Sequence, residues 1–136
     1  MAKPAEPVEL PPLRLLLVDD SAAILDSMRL VLELDGHTVE TAGGGKDGIE
    51  AFRAADRRGA PFDIVITDLG MPDVNGNDVA RAVKAQSPAT PVIMLTGWGR
   101  RFDTEKGAPA EVDRVLGKPP EIEDLRAALL DCIAKT

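Results

Sequence analysis

The chain has 136 residues, 23 acidic against 16 basic side chains, a formal charge of −7, and 44 % apolar and 29 % charged residues. That suits one soluble globular domain with a real core. It excludes a basic face able to neutralise a nucleic-acid backbone, and the longest apolar run is too short to span a bilayer, so neither direct nucleic-acid contact nor membrane insertion is expected.

Residues 1–12 carry four prolines and no apolar stretch, which predicts a linker-like arm and no secretory segment, with the domain proper at 13–136. The single cysteine, Cys132, rules out an internal disulfide framework and fits a reducing, cytoplasmic setting. From residue 13 short apolar runs alternate with amphipathic stretches. Residues 13–18 predict a strand covered on both faces. A helix follows, capped by Ser21, carrying Ile24, Leu25, Met28, Val31 and Leu32 on one face and ending at Asp35-Gly36. Residues 37–41 predict the second strand, and Gly43-Gly44-Gly45 reads as a flexible turn into a helix with Ile49 and Phe52 inward.

Residues 63–67 predict the third strand, 77–86 a helix with Val79, Ala80 and Val83 inward, and 92–95 the fourth strand. Gly107 and Pro109 cut the stretch 97–110 into a brief or irregular helix. Residues 112–116 predict the fifth strand and 121–134 the last helix, with Pro119-Pro120 at its start, where proline is tolerated. Cys132 shares that helix's apolar face and reads as a small core residue. Strands alternating with helices five times require a doubly wound α/β fold, a parallel sheet with helices on both faces.

Four apolar runs end in chemistry: Asp19-Asp20, Asp68, Thr96 and Lys118. In an open parallel sheet these ends meet at the carboxyl edge, where such folds hold their sites. Asp19 and Asp20 can reach one cation from a strand-to-loop turn, and Mg²⁺ favours one or two carboxylates with waters and phosphate oxygens. Asp68 can accept a phosphoryl group once a cation screens its charge. Thr96 can donate a hydroxyl hydrogen bond to a phosphoryl oxygen, and Lys118 supplies a compact positive charge. Each residue alone has a plainer reading: a helix cap, a turn acid, a cap, a surface lysine. Together, in order and each at a strand end, they suit Mg²⁺-assisted transfer of a phosphoryl group onto an aspartate. Other chemistries lack parts. Gly45-Lys46 has no Ser or Thr after it and no glycine at position 40, so it is not a P-loop. His37 is the only histidine, which leaves no zinc site and no triad.

Asp19-Asp20, Asp68 followed by Met71-Pro72 and Gly76, Thr96-Gly97 and Lys118-Pro119 resemble the receiver domain of two-component response regulators, over about residues 13–135. The resemblance implies a flavodoxin-like (βα)5 fold with strand order 2-1-3-4-5 and phosphorylation of Asp68 by a histidine kinase or histidine phosphotransfer protein. It implies Mg²⁺ held by Asp20, Asp68 and the Gly70 carbonyl with Asp19 assisting. It makes Thr96 the phosphoryl-sensing hydroxyl, Lys118 the phosphoryl-contacting lysine, and the Lys118–Pro119 bond cis. It makes the chain a signalling domain that assists its own phosphorylation and dephosphorylation rather than an enzyme, with a downstream protein as target. Two positions depart from the family. Val115 stands where an aromatic switch ring is frequent, and Trp98, two residues after Thr96, is large for its position. Thr96, Trp98 and Val115 are therefore the switch candidates. After Lys118 only 119–136 remain, room for the last helix, so a stand-alone receiver and a receiver segment of a hybrid kinase are both open. An aspartate-nucleophile phosphohydrolase would need a second acid where Gly70 stands, and a receiver-like module that never takes phosphate would not need the full residue set.

Overall fold

The computed structural model describes residues 10–97 and 111–134. Five strands, β1 (Arg14–Val18), β2 (Thr38–Ala42), β3 (Ile64–Asp68), β4 (Val92–Thr96) and β5 (Arg114–Gly117), form one parallel sheet in the order β2-β1-β3-β4-β5. The helices are α1 (Ala22–Leu34), α2 (Gly45–Arg57), α3 (Gly76–Gln86) and α4 (Ile122–Ala134). The short helix expected over 97–110 falls, apart from Gly97, outside the described residues. So does the arm expected over 1–12, except for 10–12, where Leu10 packs against the core.

Period-two alternation divides the core into two layers. Leu15, Leu17, Ile64, Ile66, Ile93 and Leu95 face α1 and α4, where they meet Leu25, Met28, Leu32, Leu125, Leu129 and Cys132. Leu16, Val18, Val65, Val92 and Met94 face α2 and α3, against Phe52, Ala55, Val79, Ala80 and Val83. In the central strands β1, β3 and β4 the apolar residues of both faces are enclosed, which is why these strands read as continuous apolar runs rather than alternating ones. Cys132 is a buried core residue, as its helical spacing implied.

The element ends differ from the expected ones in ways that matter for the site. β3 and β4 each run one residue further, so Asp68 and Thr96 are their last residues rather than the residues after them. Backbone pairing continues past them, with the Leu69 amide donating to the Leu95 carbonyl at 2.9 Å. β2 begins at Thr38, leaving His37 ahead of it, and β5 begins at Arg114, with the Asp113 carboxylate just ahead of it accepting the Val92 amide. α3 begins at Gly76, with Asn75 and Asp78 closing a reciprocal capping box.

Gly45 is no flexible turn. It opens α2 against Val74, where an added Cβ would strike the Val74 carbonyl oxygen and lie 2.7 Å from Val74 Cγ1. The glycine is needed for close approach.

Candidate functional site at the carboxyl edge of the sheet

Asp19 follows β1 directly, and its amide continues the pairing by donating to the Ala42 carbonyl at 3.1 Å. Its Oδ1 accepts the Ser21 amide at 2.8 Å, while Ser21 caps α1 by accepting from the Ile24 amide at 3.4 Å. The capping read from sequence is therefore shared: Ser21 caps the helix and Asp19 steadies the cap. Asp19 is wholly buried, Asp68 is 4 % and Thr96 2 % exposed, and Asp20 is open to solvent. Lys118 follows β5, and its bond to Pro119 is cis as the resemblance implied.

Lys118 Nζ lies 3.0 Å from Asp19 Oδ2 and 3.1 Å from Asp68 Oδ2. The contact to Asp19 is an ion pair more than a directed hydrogen bond, for among the described residues no donor is aligned on the enclosed Asp19 Oδ2. Burial pushes the Asp19 carboxyl above its ordinary pKa, against the Ser21 hydrogen bond and Lys118, with the Asp68 charge adding to the rise. Burial pulls Lys118 down, but the two carboxylates beside it outweigh that and its net shift is upward. The lysine is thus held charged between acids it does not fully neutralise.

One carboxylate oxygen from each of Asp19, Asp20 and Asp68 lies within 4.8 Å of the others. The donors are all oxygen, the acids outnumber the lysine three to one, and one buried oxygen lacks an aligned donor. Such a set fits a hard divalent cation.

A cavity of about 590 Å³ opens in front of these groups, bounded by Asp20, Asp68, Gly70, Met71, Asn75, Asn77, Thr96, Gly97 and Lys118. Its floor is rigid for a local reason. Gly76, the first residue of α3, donates its amide to the Leu69 carbonyl at 2.9 Å. An added Cβ there would strike the Asp68 carbonyl oxygen and sit 2.8 Å from Leu69 Cα. The turn between Gly70 and Asn75 is tight enough to hold Asp73 at φ 65°, a left-handed conformation uncommon outside glycine.

The structure therefore gathers Asp19, Asp20, Asp68, Gly70, Thr96 and Lys118 at one edge. Of the other switch candidates, Val115 is half-buried against the α2/α3 layer, away from the cavity lining, and Trp98 lies outside the described residues. Sequence reasoning missed Asn75 and Asn77. Polar residues flanking a glycine at a helix start read as turn chemistry, and Asn75 does cap α3. Only the fold turns Asn77 to the cavity.

A profile of the response regulator receiver domain matches residues 15–130. The transcriptional regulatory protein TrcR of Mycobacterium tuberculosis is 34 % identical over 118 residues, covering 87 % of this chain and 44 % of TrcR. The cell cycle response regulator CtrA of Brucella ovis is 30 % identical over 117 residues, covering 86 % of this chain and 48 % of CtrA. The chain thus spans about half the length of the curated relatives it matches. Among solved structures, a response regulator receiver domain protein from Clostridium thermocellum superposes with a TM-score of 0.74 at 31 % identity, covering 90 % of this chain and 95 % of that one. With the five-strand order and the clustered edge residues agreeing with that match, the chain belongs to the response regulator receiver domains.

Proposed function

We propose that Asp68 accepts a phosphoryl group, with Mg²⁺, from a histidine kinase or histidine phosphotransfer protein in the cytoplasm, and that the modified domain presents a changed surface to a downstream protein. The carrying observation is Lys118 Nζ within 3.1 Å of two buried acids, with a third acid beside them. Among the described residues no helix is long and apolar enough to cross a membrane. Receiver domains are signalling domains, and residues 13–136 form the signalling unit in this reading.

Asp20, Asp68 and the Gly70 carbonyl would hold the Mg²⁺, with Asp19 assisting. Bound there, the ion neutralises carboxylate charge and polarises phosphoryl oxygens. It is also the ion named in the solved complex of the Thermotoga maritima response regulator TrrA with Mg²⁺ and BeF. Transfer forms a bond between an Asp68 carboxylate oxygen and phosphorus. The bond from phosphorus to the donor's imidazole nitrogen breaks, and its electron pair leaves with the ring. Lys118 then follows the negative charge from the carboxylate to a phosphoryl oxygen, and the Thr96 hydroxyl donates to another. Hydrolase chemistry on the same nucleophile wants an acid two residues on, and Gly70 has no side chain to supply one.

Incubation with acetyl phosphate and Mg²⁺, read by intact mass, should add one phosphoryl group to the wild type and none to Asp68→Asn. Modification of Asp68→Asn at the wild-type level would overturn the assignment. Steady phosphate release without a stable adduct would favour the hydrolase.

A further inference from the structure

Asn77, the second residue of α3, borders the cavity that Asp68, Thr96 and Lys118 share. Its Oδ1 is enclosed and, among the described residues, has no hydrogen-bond partner. An enclosed amide oxygen without a donor costs folding free energy, and a leucine of similar size would remove that cost. The amide therefore weakens the fold at the position where it stands. Its backbone is not free to relieve this, since Gly76 seats the start of α3 against the Asp68 carbonyl. With Oδ1 turned into the protein, Nδ2 is the half of the amide left to the cavity. Nδ2 carries two hydrogens and no negative charge, so it suits an anion at the mouth of Asp68 and does not suit a metal.

We propose that Asn77 is an anion-positioning residue, whose Nδ2 donates to the phosphoryl group on Asp68 and to the same group during transfer. This rests on the reading of Asp68 as the acceptor. Lys118 and Thr96 serve one oxygen each in that reading, and Asn77 adds a neutral donor from the α3 side. The plainer role, a polar residue near a helix start, is already filled by Asn75 and Asp78.

The test uses the whole chain as Asn77→Leu and Asn77→Asp, and reads three quantities. These are Mg²⁺ affinity by calorimetry, affinity for beryllofluoride at saturating Mg²⁺, and melting temperature. Beryllofluoride is a tetrahedral stand-in for a phosphoryl group on a carboxylate. Asn77→Leu should melt at or above the wild type and keep its Mg²⁺ affinity within about twofold. Its beryllofluoride affinity should fall by about tenfold, the loss of one hydrogen bond to a charged group. Asn77→Asp, of the same shape but with a charge facing the anion, should fall further. A purely structural role moves stability and anion binding in the same direction; this role moves them in opposite directions.

Unchanged beryllofluoride binding in Asn77→Leu would overturn the proposal. So would an equal loss of Mg²⁺ and beryllofluoride affinity, or a drop in melting temperature in both variants. If wild type itself takes neither beryllofluoride nor a phosphoryl group on Asp68, the reading of Asp68 fails instead, and the two failures are distinct.

Discussion

The two edges of the sheet treat charge in opposite ways. At the amino edge the protein completes its own pairs. Lys84 Nζ donates to the Thr90 carbonyl at 2.7 Å and to Asp113 Oδ2 at 2.9 Å, and that same carboxylate oxygen accepts the Val92 amide at 2.8 Å. Asp63 accepts the Arg14 amide at 2.8 Å, and the Arg14 guanidinium lies 5.5 Å over the Phe62 ring. At the carboxyl edge one lysine serves Asp19 and Asp68 while Asp20 stands beside them, and among the described residues no donor is aligned on the enclosed oxygens of Asp19 and Asn77. A charge pair completed by the chain holds the fold, whereas an excess of one sign, kept under burial, is a demand for something from outside.

Replacing the lysine at each edge turns that contrast into a measurement. Lys118→Met leaves Asp19 and Asp68 without their shared cation. In chelator it should lose about 3 kcal/mol, the low end expected when one partner of a buried pair is removed and the lysine was itself partly solvated. Mg²⁺ at a hundredfold excess over its dissociation constant should return about 2.7 kcal/mol, because a ligand of the folded state stabilises by mass action. Urea unfolding with and without Mg²⁺ checks both figures. A variant as stable in chelator as the wild type, or one indifferent to Mg²⁺, would mean that the acids are not in excess.

Lys84→Met should cost less, about 1–2 kcal/mol, for the Thr90 carbonyl and the part-exposed Asp113 carboxylate left short of a donor. Mg²⁺ should return none of that loss beyond what it gives the wild type, since no cluster of acids stands at that edge among the described residues. A Mg²⁺ response equal to that of Lys118→Met would erase the distinction between the edges.

The carboxyl edge was the more legible of the two from sequence. Asp19, Asp68, Thr96 and Lys118 each end an apolar run, and a parallel sheet brings such ends together whatever the loops do. The strand order came from the resemblance, and the two-layer core followed from period-two alternation. The amino edge was illegible because its pairs join distant positions. Lys84 and Asp113 are 29 residues apart, and neither stands out from the other charged residues of a helix or loop. Gly45 misled for a related reason, since a glycine in a string reads as freedom, and only the neighbouring backbone shows it as close approach. Asn77 was hidden by its own plausibility as a helix-start residue.

His37 is the exception at the amino edge, and it sharpens the comparison by the smallest expected effect. Its Nδ1 accepts the Leu13 amide at 3.1 Å, so the ring is neutral with its proton on Nε2, and Nε2 is enclosed without an acceptor among the described residues. Burial pushes its pKa below the ordinary value, and the Asp35 carboxylate, itself held by Arg126, opposes that only in part. A second ring proton would have to sit where the Leu13 N–H points. With the folded pKa depressed, the unfolded chain takes up the proton first as pH falls through about 6.5, so more protons are bound unfolded and stability rises with pH. The contribution is whole above that pH and is lost below it, reaching about 1 kcal/mol near pH 5.5. Carboxylates titrate in the same range, so the readout is the difference between wild type and His37→Gln in urea unfolding from pH 7.5 to 5.5. The wild type should lose stability more steeply than the variant, whose amide oxygen can still accept from Leu13 but takes no proton. Parallel pH profiles would show that the ring is as easily protonated folded as unfolded, and would leave the amino edge with no unmet polar group of consequence.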